Sequence, residues 1–141
     1  MSVMEDTRNT APISPGAPST DGPAAASPVC HYSPQVQEFL DFLKFEKHFS
    51  DYTVKCYGAD LMQFARFLVN GHDNPEHAVD FQQADAHLMA CDALKVREYL
   101  AYMFSRRYSK STTARKLASL RSFYRFNVRR QRLETNPLST V

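Results

Sequence analysis

From Pro34 onward the apolar residues recur with gaps of three and four, and no run alternates in the manner of a half-buried strand. Val36, Phe39, Leu40 and Leu43 share the inner face of a first predicted helix over 35–48, which Phe49 and Ser50 interrupt. Ser50 then has the chemistry of an N-cap, and Asp51 suits the positive end of the helix dipole. The second helix runs to residue 69, with Tyr57, Leu61, Phe64 and Leu68 as its stripe, and Asn70 and Gly71 form the stop. Residues 72–92 are acidic and read as an irregular loop. A third helix begins at the N-cap Asp92, turns Val96, Leu100 and Met103 inward, and ends near 107. After Tyr108 and Ser109 a fourth helix spans 110–130, a rod of about 30 Å at 1.5 Å per residue. Its core face is expected to carry Thr113, Leu117, Leu120, Tyr124 and Val128, and Pro137 closes the domain. The pattern therefore predicts an all-α domain of four helices over 34–138, with an acidic loop at 72–92.

Composition sets residues 1–33 apart. They hold five of the eight prolines and two of the four glycines, with Tyr32 as the only aromatic. Such a segment buries too little apolar surface to offset its ordering entropy, so a disordered tail is expected. Glu5 and Asp6 near its start, and the lack of an apolar core, exclude a secretory signal. No stretch approaches the roughly 20 apolar residues of a membrane span. Cys30, Cys56 and Cys91 are odd in number and widely spaced, which argues for reduced thiols in a cytoplasmic protein. Cys56 falls inside a helical pattern and reads as packing.

Charge changes the picture more than composition does. Residues 93–141 carry twelve Lys or Arg against Glu98 and Glu134, a local net of +10, whereas residues 1–92 carry five against thirteen acids, a net of −8. This split points to a polyanion-binding face, with an uninvolved solvated helix surface as the bland alternative. The fourth helix has no acid between Lys110 and Leu133. Opposite its expected core lie Ser111, Arg115, Ser119, Ser122 and Arg129, flanked by Lys116 and Arg125. Small hydroxyl residues between arginines let a helix approach a groove wall while the guanidinium groups reach phosphates or purine edges. Arg121 falls at the edge of the core face, where Asp60 or DNA would serve as partner. Phe126 points to the polar side and implies a further contact, with the chain beyond Pro137 or with a partner molecule. His72, His77, His87 and Cys91 match no zinc spacing, so no metal site, cofactor or small-molecule ligand is expected.

Two stretches then resemble a known family. The second helix reads Ser50, Thr53, Tyr57, Asp60, Leu61 in sequence, and the fourth reads Ser109, Thr112, Arg115, Leu117, Leu120, Arg121, Phe123, Tyr124, Phe126, followed by Asn136 and Pro137. This resembles the N-terminal core-binding, SAM-like domain of tyrosine recombinases and phage integrases, nearest the Xer type. The resemblance implies a four-helix orthogonal bundle that holds one side of a recombination half-site on double-stranded DNA, with the second and fourth helices against the duplex. By position it puts Thr53, Lys55 and Tyr57 at the DNA from the second helix, though Thr53 and Tyr57 read equally well as structural. From the fourth it brings Ser111, Thr112, Arg115, Lys116, Ser119 and Arg121, to which the helical wheel adds Ser122 and Arg129. Other recombinase protomers are implied as partners of the first helix and the last turn.

The family's chemistry belongs to a second domain with a nucleophilic tyrosine, arginines, a lysine and an HxxR element. None of the five histidines here is followed by Arg at the third position. A tyrosine without such surroundings is a poor nucleophile, so the chain is expected to bind DNA without cutting it. A truncated gene product, a fragment and a stand-alone domain all remain open. Two other functions compete: a helical module docking its basic helix on an acidic partner or another protomer, and a helix-turn-helix regulator. The last helix is about twice the length of a recognition helix, and no short Gly-containing turn precedes it, which weakens the regulator reading.

Overall fold

In a computed structural model, residues 31–140 are described, and within them five α-helices and no strands form an all-α unit that begins at Tyr32. The helices are α1 (Pro34–Phe45), α2 (Asp51–Asn70), α3 (Phe81–Met89), α4 (Ala93–Ser105) and α5 (Lys110–Arg129). Of the expected tail, residues 1–30 lie outside the described part. Tyr32 packs against the core, and Ser33 is buried as the N-cap of α1.

Local chemistry accounts for most helix ends. Ser50 Oγ accepts the Thr53 N–H at 3.1 Å, Asp92 Oδ1 accepts that of Lys95 at 3.0 Å, and Ser109 Oγ accepts that of Thr112 at 3.1 Å. Each bond satisfies one of the free amides of a first helical turn. Gly71, at φ +82°, ends α2 in the left-handed conformation that glycine adopts without strain. The first helix stops at Phe45, three residues short of the expected end, because His48 takes a φ of +58° and the chain turns back so that the Phe49 N–H reaches the Leu43 carbonyl at 3.0 Å.

The stretch expected to be irregular contains α3. Asp80 caps it by accepting the Gln83 N–H at 2.9 Å, and Ala84 and Leu88 are buried with Phe81 half-buried beside them. The fifth helix is thus an addition to the expected four, formed because 81, 84 and 88 make one apolar stripe. Two bonds fix it in place. Tyr124 Oη donates to the Leu88 carbonyl at 2.7 Å, and Asp85 accepts the Gln35 N–H at the start of α1 at 3.3 Å.

The second helix is the hub, touching α1, α3, α4 and α5. Gly58 lets α1 come close: a Cβ there would collide with the Tyr32 ring and sit 2.9 Å from Leu40 Cδ1. The core joins Phe39, Leu40, Leu61, Phe64, Leu88, Tyr99, Met103, Leu120, Phe123 and Tyr124, all essentially inaccessible. At roughly 25 cal/mol per Å² of apolar area removed from water, such side chains supply the main stabilising term.

A candidate nucleic-acid interface on α2 and α5

The buried arc of α5 is not the one its sequence periodicity suggests. Lys116, Ser119, Leu120, Phe123, Tyr124, Phe126 and Asn127 face inward, whereas Thr113, Leu117 and Val128 are only half-covered. The arc is turned by roughly 80° toward Lys116, taking 100° per residue. Two contacts cause this. Asp60 on α2, only 2% exposed, neutralises Lys116 at 3.0 Å and accepts the Ser119 hydroxyl at 2.9 Å. Phe126 lies against Phe39 and Phe42 of α1, with ring centroids 5.4 and 4.8 Å away. Phe126 therefore packs within the domain, against α1, and the Arg130 guanidinium lies 4.8 Å over its ring. The expectation that Lys116 and Ser119 face outward is corrected accordingly: both belong to the interior.

Arg121 does not pair with Asp60. That carboxylate is taken by Lys116, by Ser119 and, at 3.3 Å, by the half-exposed Arg115. Arg121 is half-buried one turn beyond Leu117, on another side of the helix from Arg115, and its carbonyl accepts the Asn136 amide at 3.4 Å. Thr53 and Thr112 are half-buried, and each hydroxyl oxygen accepts from the serine that caps its helix, both at 2.9 Å. They are parts of the caps. Tyr57 is half-buried with its ring 6.1 Å from Phe39 and 5.9 Å from Phe49.

What remains exposed is a track along α5. Ser111, Arg115, Arg125 and Arg129 are exposed, and Ser122 is half-exposed among them. Two shallow grooves run beside it. One lies between α2 and α5 and is lined by Tyr52, Thr53, Cys56, Tyr57, Asp60, Arg115, Ala118 and Ser119. The next has a floor of Phe39, Phe42, Leu43, Phe49 and Phe126, with Tyr57 and Ser122 on its walls and Lys47, Arg125 and Arg129 at its edge. Tyr57 lines both, so the grooves adjoin along one face. Lys55 is exposed on α2. Lys55, Arg125 and Arg129 make no ion pair among the described residues; Glu38 and Glu46 are engaged by Arg130 and Arg132, beyond the end of α5. Lys47, in the turn after α1, was missed by sequence reasoning, which placed it inside a first helix expected to run to residue 48.

A second polar cluster supports this face from behind. Gln63 accepts a short hydrogen bond from Lys116 Nζ and donates to Asp73 at 2.6 Å. Asp73 also accepts from Tyr102 at 2.8 Å and Tyr108 at 2.7 Å. Burial pushes the Asp73 carboxyl up, but hydrogen bonds from Tyr108, Tyr102 and Gln63 outweigh it and hold the group below the usual carboxylate range. Burial first, and then Asp73, push Tyr108 up to about 12. Burial likewise raises the Cys91 thiol to about 11, far from a reactive thiolate. His72 and His77 meet at 3.1 Å between ring nitrogens, but among the described residues no three potential ligands gather to hold a metal. No described helix is long and apolar enough to cross a membrane.

A small helical domain with one basic helix laid beside the N-terminal half of another is the class these features define. Residues 36–131 match the family described as "Phage integrase, N-terminal SAM-like domain", and the chain belongs to that family. Among curated proteins it is similar to tyrosine recombinase XerC of Listeria innocua, 36% identical over 105 residues, covering 74% of this chain and 31% of the relative. The XerC of Staphylococcus epidermidis is 38% identical over 104 residues, covering 73% and 31% respectively. That of Listeria monocytogenes is 37% identical over 105 residues, with 74% and 31% covered. The chain thus spans about a third of the length of these relatives. No solved structure matches it significantly.

Proposed function

We propose that this domain binds double-stranded DNA through the α2–α5 face, as the DNA-holding part of a site-specific tyrosine recombinase. The observation that carries the reading is the exposed track of Arg115, Arg125 and Arg129 on a helix with no acid of its own. Like charges along one helix destabilise it by a few tenths of a kcal/mol per pair unless an anion neutralises them, and duplex phosphates do so. Lys55 from α2 and Lys47 from the turn after α1 widen the track. Ser111 and Ser122 give short hydrogen bonds to phosphate oxygens, and Tyr57 forms the wall between the two grooves. Lys116 and Ser119 act indirectly, by fixing α5 against α2 through Asp60.

In this reading the chain binds without cutting, and strand cleavage belongs to a separate catalytic domain of the recombinase. Other recombinase protomers are its partners on the DNA. The test is fluorescence anisotropy of the 141-residue chain with random duplex across a salt series. Log affinity should fall linearly with log salt, by about 0.9 per neutralised phosphate and so with a slope of about −4.5 for the five cations above. Absence of binding at low salt would remove this reading.

A further inference from the structure

The turn of α5 toward α2 leaves an apolar surface behind. Leu117 and Thr113, expected in the core, line an open groove of about 840 Å³ between α4 and α5, together with Leu100, Ala101, Phe104 and Ala114. Phe104 is 85% exposed, and Leu94, three turns earlier on α4, is 59% exposed. An isolated exposed apolar side chain such as Leu94 needs no explanation, but apolar side chains of two helices that line one open groove mark an interaction surface. The groove has a cationic border: Lys110 lines it, Arg97 sits one turn before Ala101, and Arg121 one turn after Leu117. None of the three forms an ion pair among the described residues, and no acid lines the groove. Glu98, the acid on α4, is engaged by Lys95 at 3.4 Å.

We propose that the α4–α5 groove docks an acidic amphipathic helix of a protein partner. The apolar floor selects side chains repeating about once per turn, and the border of Lys and Arg selects carboxylates around them. The groove lies between two helices and offers no strand edge, so a helix suits it better than an extended peptide. Residues 110–117 of α5, which line the groove, span about 11 Å at 1.5 Å per residue, enough for about two turns of a bound helix. DNA does not fit this chemistry, because a phosphate backbone has no apolar groups to bury against Phe104 and Leu117. Around α5 the groove lies about 120° from the Arg115–Arg129 track at 100° per residue, so the partner and DNA occupy different faces.

The test titrates the full chain with a fluorescein-labelled synthetic helix bearing Leu or Phe at i, i+3, i+4 and i+7 and Glu elsewhere, and with its Lys-for-Glu twin. Nitrogen-15 shift mapping locates the contact. The acidic peptide should bind with shifts centred on Phe104 and Leu117, and Phe104→Ala should weaken it by about tenfold or more. Lys110→Glu should weaken it and restore part of the lost binding to the basic twin. Phe104 is exposed, so Phe104→Ala should keep its melting temperature and its duplex-DNA affinity. Equal binding of the two peptides, shifts on the α2–α5 face, or no binding of either would overturn the proposal. So would a Phe104-dependent self-association in sedimentation velocity, which would make a second copy the occupant.

Discussion

Asp60 and Asp73 are two buried carboxylates served by opposite kinds of donor. Asp60 is met by Lys116, Arg115 and Ser119, two cations and a hydroxyl, whereas Asp73 is met by Tyr102, Tyr108 and Gln63, all neutral. Gln63 joins the clusters, accepting from Lys116 and donating to Asp73. The difference shows how a helix crowded with positive charge can be docked at all. At Asp60 one acid lets a lysine be buried and turns the neighbouring arginines outward. At Asp73 a hydroxyl network ties the loop after α2 to α4 and to the turn before α5, adding no cation to the interior. One cluster sets which side of α5 is bare, and the other sets where its N-terminus lies.

Removing Asp60 should break the comparison most severely. Asp60→Ala strands Lys116 without a counter-charge, and breaking a buried pair in this way costs about 3–5 kcal/mol. Lys116→Met should cost clearly less, because Arg115 and Ser119 still serve the carboxylate. Urea midpoints of the two variants test the asymmetry, and equal losses would mean that Lys116 is not the dependent partner. Next in size is Gly58→Ala, which drives a Cβ toward Tyr32 and Leu40. An overpacked contact of this kind costs about 1–3 kcal/mol, read from the same midpoints.

Asp73→Asn should cost about 1–3 kcal/mol, the range for leaving buried donors badly partnered. It also has a pH signature. The folded carboxyl titrates below its ordinary value, so its stabilisation is present above the unfolded value of about 3.9 and is lost as pH falls through the lower folded value. Acid unfolding curves of Asp73→Asn should lack that component and converge on wild type at low pH. Tyr108 behaves in the opposite sense. Its pKa is raised to about 12, so its contribution is present below the ordinary tyrosine value of about 10 and is lost as pH rises toward 12. Tyr108→Phe should therefore flatten the alkaline limb.

Much of this architecture was legible where the causes are local. The Ser50, Asp92 and Ser109 caps and the Gly71 stop act within one turn of chain, and α2, α4 and α5 begin and end within a residue or two of expectation. Helix α3 was missed although its signals were present, because acidic and histidine residues around Phe81, Ala84 and Leu88 obscured a short apolar stripe. The rotation of α5 was not legible at all. A wheel ranks Lys116 as polar, and only Asp60, 56 residues earlier in the chain, makes its burial tolerable. For the same reason Phe126 read as a loose end, since Phe39 and Phe42, which cover it, lie on the first helix. Exposure followed the same rule: Arg115 and Arg129 lie open to solvent as the pattern suggested, whereas Lys116 and Ser119 were placed outside because their partner is distant.

The smallest expected effect on stability is the sharpest test of the face. Arg115 shares Asp60 with Lys116, but the carboxylate does not depend on it: Oδ1 keeps Lys116 at 3.0 Å and Oδ2 keeps Ser119 at 2.9 Å. Arg115 is half-exposed, so its pair with Asp60 is screened by solvent. Arg115→Ala should therefore change the stability read from the urea midpoint by no more than about 0.5 kcal/mol. On DNA the same change removes a phosphate partner, and the slope of log affinity against log salt should become shallower by about 0.9. Lys116→Met provides the contrast, with a clear stability loss and, once folded, an almost unchanged slope. If Arg115→Ala kept the full salt slope while Lys116→Met lost part of it, the buried lysine would be the phosphate ligand. The side of α5 that meets DNA would then be the one turned toward α2.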